Sequence, residues 1–308
     1  MAKKYLIALD DGHGMETPGK RTPKLLEDLY IDGKLVRKKG EVIKENEFNR
    51  EVVKYLEQAL KRCGFDVLLV APTDEDPSLQ VRVNRANSAN ADAYISKHYN
   101  AVGDQWQTRV KGLITLINSN HQAKTKELAS NIHEELWKLH EHHNCTNYGV
   151  RSDVSFLGYN LYVLKNTKMP AILTESGFMD NLLEAKDMLN PVFQRADAEA
   201  TCKGICKSFG ITYVKPQEES VKPENEPVCK EQEVDVSTNI KYVKVRVNQL
   251  NVRKCPSWDE YAVDSIVKKG EVFTVVKKLK VGNGYMYKLK SGLYITTSSQ
   301  YVQSLTSL

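Results

Sequence analysis

With 308 residues, 41% of them hydrophobic and 27% charged, the chain is longer than one core usually fills and apolar enough for two folded domains, which excludes a wholly disordered polymer. The formal net charge is only +5, and no apolar stretch approaches the length of a bilayer span, so membrane insertion is not expected. Charge is uneven, however: residues 241–308 hold twelve basic against four acidic side chains, which favours an anionic partner there, either a nucleic acid or a cell-wall polymer.

The chain opens with an apolar run at 5–9 that ends in Asp10-Asp11-Gly12-His13-Gly14, the pattern of a short strand followed by a tight turn. Residues 1–9 carry two lysines but too short an apolar run for a signal h-region, so synthesis in the cytoplasm without a signal peptide is expected. The stretch 15–44, with Pro18 and Pro23, reads as a long connection beside His13; connections of that length often act as lids or substrate walls. A helix follows over 47–62 with Val52, Val53, Leu56 and Leu60 on one stripe. Stepping back four residues from Asn49 places Glu45 on that stripe at its N-terminal end, whereas Glu47 and Glu51 fall off it and read as solvated.

Further strands are predicted at 67–70 and 93–97, the second leading into His98, and at 113–117, 161–164 and 171–174, the last leading into Glu175. Helices are predicted over 123–140, with Leu128, Ile132, Leu136 and Leu139 on one stripe, and over 192–209. This alternation gives an α/β domain over 1–214 with a mostly parallel sheet flanked by helices. Residues 215–239 contain three prolines and seven acidic residues and read as a flexible acidic linker. Residues 240–308 alternate β-branched and apolar residues with turn signals such as Gly270 and Gly282-Asn283-Gly284, the pattern of a small all-β barrel.

The six cysteines show no C-x-x-C pair and read as free thiols; Cys202 and Cys206, one helical turn apart, have a metal role as their second reading. His140, His142 and His143 with Cys145 could also bind metal, but at a polar helix end they read first as a solvated run favoured by the helix dipole.

Ligands of open α/β sheets gather beyond the carboxyl ends of the strands, where His13, His98 and Glu175 each fall. Each has an ordinary reading of its own, as a turn histidine, a satisfied strand-end histidine or a capping carboxylate, and Glu45 reads equally as a helix-dipole partner. Together, two histidines, a carboxylate ligand and a spare carboxylate match a hydrolytic zinc centre with an open position for water.

Four segments carry a family resemblance: Ile7 to Gly14, Glu45-Asn46-Glu47-Phe48-Asn49, Arg85 through Ser96-Lys97-His98-Tyr99-Asn100-Ala101, and Pro170 to Asn181 with its Glu175-Ser176-Gly177-Phe178 core. In this order they resemble the zinc-dependent N-acetylmuramoyl-L-alanine amidases of phage endolysins and bacterial autolysins. Leu250-Asn251-Val252-Arg253-Lys254-Cys255-Pro256-Ser257 is similar to a bacterial SH3-type wall-binding module. The resemblance implies that His13, Glu45 and His98 hold Zn2+ and that Glu175 is the catalytic carboxylate. It implies an endolysin in which zinc-activated water cleaves the amide between N-acetylmuramic acid and L-alanine. Peptidoglycan and anionic wall polymers are then the expected partners. Nucleic acid is set aside because the lysines of the small domain lack an evident aromatic stacking array. Access to the wall would come through a phage holin-type lesion. The long insertion after His13 and the lysine at position 97 depart from the family pattern. A binding or regulatory protein with a degenerate enzyme domain, or a zinc endopeptidase acting on the stem peptide, are the alternatives.

Overall fold

The computed structural model describes residues 4–31, 33–140, 145–216, 235–236, 238–258, 263–282 and 284–307. Two compact units divide the chain: Met1–Ile31 with Leu35–Glu219, and the remainder.

The larger unit runs β1 (Leu6–Asp10), β2 (Leu29–Ile31), β3 (Lys34–Arg37), α1 (Glu45–Arg62), β4 (Asp66–Leu69), α2 (Leu79–Ser88), β5 (Ala93–Asn100), β6 (Gly112–Ile117), α3 (Ala123–His140), β7 (Thr146–Ser152), α4 (Asp153–Leu157), α5 (Tyr162–Asn166), β8 (Ala171–Phe178) and α6 (Pro191–Phe209). Its six-stranded sheet has the order β4-β1-β5-β8-β6-β7. Every pairing is parallel except β6 against β8, so the mostly parallel α/β class is borne out.

Strand side chains alternate between two cores because successive Cβ atoms leave a strand on opposite faces. Ile7, Leu9, Ala93, Ile95 and Ile172 join the core shared with α1, α3 and α6. Ala8, Tyr94, Ala171 and Leu173 join the one shared with α2 and α5. α1 forms because Phe48, Val52, Val53, Leu56 and Leu60 repeat at helical spacing and are all buried. Its first residue is Glu45, and Glu47 is not simply solvated. It accepts the Lys44 N–H at 2.8 Å and pairs with Arg37, satisfying one of the otherwise unpaired donors at the helix start.

Three sequence expectations need correction. Residues 161–164 are not a strand: Leu161 is an N-cap and Tyr162–Asn166 are helical, with Val163 and Leu164 buried. A four-residue apolar run cannot separate a strand from a buried helical turn. His140 is buried rather than solvated, its ring edge-on to Phe193 at 5.7 Å; His142 and His143 lie outside the described residues. Cys255 is disulfide-bonded, although Cys63, Cys145, Cys202 and Cys206 are free thiols and Cys229 lies outside the described residues. Bridges are set by spatial proximity, so the lack of a paired motif did not exclude one.

A buried ion pair ties the sheet to α6. Lys97 Nζ lies 2.7 Å from Asp197 Oδ1, with both side chains wholly buried, and Ser176 donates to Asp197 Oδ2 at 2.6 Å. Lys97 and Ser176 precede and follow the two strand positions His98 and Glu175, so the pair anchors the strands that carry the site. Asp197→Ala would strand a buried ammonium and is expected to cost about 3–5 kcal/mol, read as a lower urea midpoint at unchanged slope.

The smaller unit contains β9 (Asp235–Val236), β10 (Tyr242–Val245), β11 (Gln249–Arg253), β12 (Val263–Lys268), β13 (Val272–Val281), β14 (Gly284–Leu289), β15 (Tyr294–Thr296) and β16 (Val302–Leu305). They form one antiparallel sheet of order β12-β11-β15-β14-β13-β10-β16, with β9 pairing β13. Val243, Val245, Val252, Leu289, Ile295 and Val302 fill its core. Of the stretch read as linker, Asp235 and Val236 pair with Leu279 and Lys278; residues 217–234 lie outside the described residues.

Candidate metal centre

Parallel pairing of β1, β5 and β8 brings three chemistry-bearing segments together. Asp10 pairs with Ser96 and His98 pairs with Glu175, so His98 and Glu175 stand side by side on one face. Neither closes its strand: β5 continues to Asn100 and β8 to Phe178, with a register shift between His98 and Asn100. Glu45 reaches the same place from the first turn of α1. The nitrogen and oxygen atoms that His13, Glu45 and His98 offer all lie within 4.8 Å of one another. Glu45 bridges the other two, its Oε1 2.9 Å from His98 Nδ1 and its Oε2 3.5 Å from His13 Nε2. The two imidazoles meet edge to face at 4.8 Å.

The turn carrying His13 is fixed from two sides. His13 has φ of 66°, a left-handed conformation uncommon outside glycine that must be held by its surroundings. From α1, the Asn46 amide donates to the carbonyls of Asp11, Gly12 and His13 at 2.6, 3.0 and 3.1 Å, and the Asn49 amide donates to Gly12 O at 3.0 Å. From α2, Arg82 donates to the His13 carbonyl at 2.9 Å and pairs with Asp10 and Asp76. Asp10 also accepts from Tyr94 and Ser96, each at 2.8 Å. Sequence reasoning missed Arg82. Its signal is a position beside Val83 and four before Ala86 on the buried stripe of its helix, where a charged side chain needs a partner.

The electrostatics suit a cation. Burial holds His13 down to about 4, so its imidazole is neutral at pH 7. Burial alone would raise Glu45, but the hydrogen bond from His98 and the charges of His98, His13 and Lys20 hold it near 2. His98 is raised, its hydrogen bond and attraction to Glu45 outweighing burial. Glu175 is pushed up to about 8, chiefly by burial, with the Glu45 charge adding and His98 opposing. Its Oε2 is buried with no hydrogen-bond partner among the described residues. A neutral imidazole, an ionised carboxylate, a second imidazole and an orphaned carboxylate oxygen are a donor set and polar environment that fit zinc.

Beside His13 and His98 opens a cleft of about 390 Å³, also lined by Asp76, Leu79, Tyr162 and Val163. The 15–44 segment is tied down rather than a loose strap. Thr22 and Ile43 exchange hydrogen bonds, β2 pairs with β3, and Glu45 N–H donates to the Lys20 carbonyl at 2.9 Å. That last bond places Lys20 Nζ 4.0 Å from Glu45 Oε2.

Residues 7–207 match the family described as Amidase_3, N-acetylmuramoyl-L-alanine amidase. The chain belongs to this amidase family. The amidase chain is also 30% identical over 303 residues to the endolysin of Bacillus phage SPP1, covering 96% of this chain and 97% of that one. Among solved structures, the N-acetylmuramoyl-L-alanine amidase AmiC2 of Nostoc punctiforme is 26% identical with a TM-score of 0.54, covering 68% of this chain and 99% of that chain. The amidase of Clostridium difficile 630, at 24% identity and a TM-score of 0.55, shares the fold over 67% of this chain and 97% of its own. The amidase has no helix, among the described residues, that is long and apolar enough to cross a membrane.

Proposed function

We propose that the amidase hydrolyses the peptidoglycan amide joining the lactyl group of N-acetylmuramic acid to L-alanine, with zinc held by His13, Glu45 and His98 and with Glu175 as the acid–base group. The observation that carries this reading is the convergence of three ligand side chains within 4.8 Å beside a strand neighbour whose carboxylate oxygen is buried and unpartnered. When bound, zinc would supply Lewis acidity, polarising the scissile carbonyl and acidifying water.

The chain's own groups do the remaining work. Glu175 accepts a proton from the attacking water as its oxygen bonds to the carbonyl carbon, then delivers that proton to the amide nitrogen as the C–N bond breaks. The products are a lactyl carboxylate and the free amine of L-alanine. Burial favours the protonated form of Glu175, which suits proton delivery, while a divalent charge nearby would lower its pKa towards neutrality and make it a usable base. Lys20, 42% exposed and 4.0 Å from Glu45, puts positive charge beside the ligand cluster, where it would favour a developing oxyanion. Lys20→Ala is expected to lower kcat about 10²-fold with zinc content unchanged, and Lys20→Arg to recover most of it, in a soluble muropeptide assay.

The small β unit is read as an SH3-like wall-binding domain whose excess of lysines meets anionic wall polymers. The stretch 215–234, ahead of β9, acts as its tether and raises the local enzyme concentration. A fragment ending at Val214 is expected to keep its kcat on soluble muropeptides while clearing whole walls more slowly; an unfolded fragment would refute the boundary. The similarity to a phage endolysin over nearly the whole chain supports a lytic role, with access to the wall through a membrane lesion made by another protein.

The decisive experiment digests purified peptidoglycan with zinc-loaded and chelated protein, measuring new amino termini and new reducing ends separately. Zinc-dependent L-alanine termini without reducing ends are expected. Termini at another residue would make the protein an endopeptidase, and wall binding without release would make it a binding protein.

A further inference from the structure

Away from the histidine site, three thiols meet inside the amidase unit. Cys63 caps the C-terminus of α1, and Cys202 and Cys206 stand one turn apart on α6. All three are buried, and their sulfurs lie within 4.8 Å of one another. Cys202 Sγ donates to Cys63 Sγ at 3.7 Å. A disulfide brings two sulfurs to about 2.05 Å. Sulfurs around a tetrahedral ion, with bonds of about 2.3 Å, stand roughly 3.8 Å apart.

Burial pushes the Cys63 thiol up, and hydrogen bonding to Cys206 with burial pushes Cys202 up, but polar groups also face the cluster. Val214 N–H points at Cys63 Sγ from 3.3 Å, the kind of outer hydrogen bond that steadies a metal-bound thiolate. Arg62 donates to the Val214 carbonyl at 2.9 Å. The Cys202 hydrogen bond and the Arg62 charge both lower the Cys206 thiol. Thiols acting only as small apolar core residues have no use for an N–H aimed at sulfur.

We propose that Cys63, Cys202 and Cys206 form a second metal site, for a thiophilic divalent cation of the zinc and cadmium class, independent of His13, Glu45 and His98. Binding converts three thiols to thiolates and releases three protons to solvent. The resulting net charge of one negative is near Arg62, which also pairs with Glu199 at 2.6 Å. Because each thiol must lose its proton to bind, protons compete with the ion and affinity falls with acid. The site would fasten the end of α1, α6 and the backbone at Val214.

The test is a cadmium titration of full-length, chelator-stripped protein without reductant, so that the Cys255 bridge stays closed. It is read by thiolate-to-cadmium charge-transfer absorption in the near ultraviolet. His13→Ala, which lacks the first site, is expected to show the band rising to a break at one equivalent with a raised Tm, and wild type to show the same band; Cys202→Ala is expected to lose the band, and in the His13→Ala background the Tm shift as well. Cys206→Ser, which keeps the side-chain volume, repeats the loss arm if Cys202→Ala does not fold. Absence of the band in wild type overturns the proposal in favour of plain core thiols, and a band that survives both cysteine variants overturns it by placing the ion elsewhere. His13 contributes no sulfur, so failure of the amidase reading would leave the band intact, and failure of the thiol site would leave wall hydrolysis intact.

Discussion

Glu175→Gln is expected to lower kcat by about 10²–10⁴-fold while zinc content and wall binding stay at wild-type levels. The amide keeps the shape of the carboxyl but can neither take a proton from water nor return one to the leaving amine. Glu175 stands beside His98 in the sheet register, yet it is not among the three side chains whose ligand atoms cluster. Loss of zinc in this variant would therefore make Glu175 a ligand and overturn its assignment. Stability gives a second readout on the chelated protein. Burial raises Glu175 from its usual 4.5 to about 8, so folding disfavours its charged form. Below about 4.5 the carboxyl is protonated in folded and unfolded chains alike, and no penalty exists. The penalty grows as pH rises towards 8, and glutamine, which has no charge to bury, removes it. At pH 8 the variant should thus unfold at the same or a higher temperature than wild type, and a marked drop would mean that Glu175 has a structural partner.

The parts of this fold that sequence could reveal are those fixed by local pattern. The runs at 5–9, 93–97 and 171–174 are largely apolar on both faces because β1, β5 and β8 lie in the middle of the sheet under helices on each side. Glu45 could be placed by helical periodicity, and the structure puts it beside His13 and His98. The edge strand β7 was missed because Thr146–Ser152 carries exposed and half-buried polar residues with no apolar run. α2 was missed for a similar reason, since only Arg82, Val83 and Ala86 of its residues are buried. Contacts between distant segments leave no local trace. Asn46 holds a turn more than thirty residues earlier, and Cys63 meets Cys202 across 139 positions. The ends of β5 and β8 were placed early because His98 and Glu175 interrupt the apolar pattern, whereas backbone pairing continues past them.

Gly12→Ala should produce a folded protein that binds zinc about 10²-fold more weakly and is inactive at limiting metal. Gly12 lies in the Asp10–Gly14 turn directly over His98. A Cβ added there would stand 2.3, 2.4 and 2.7 Å from Cε1, Nε2 and Nδ1 of the His98 ring. Either the turn or the imidazole must move. The turn cannot yield cheaply, because Asn46 and Asn49 hold the Gly12 carbonyl and Arg82 holds that of His13. The imidazole is the freer partner, and displacing it breaks the 2.9 Å contact of its Nδ1 with Glu45. One methyl group thereby separates two of the three ligands without removing any of them. Excess zinc should restore part of the activity of Gly12→Ala and none of that of Glu175→Gln, since one lesion weakens metal binding and the other removes proton transfer. Zinc content after dialysis, followed by a zinc titration of muropeptide hydrolysis, separates the two. Full metal content and full activity in Gly12→Ala would mean that His98 does not occupy the space over Gly12 in the working enzyme, and the ligand assignment would fall with it.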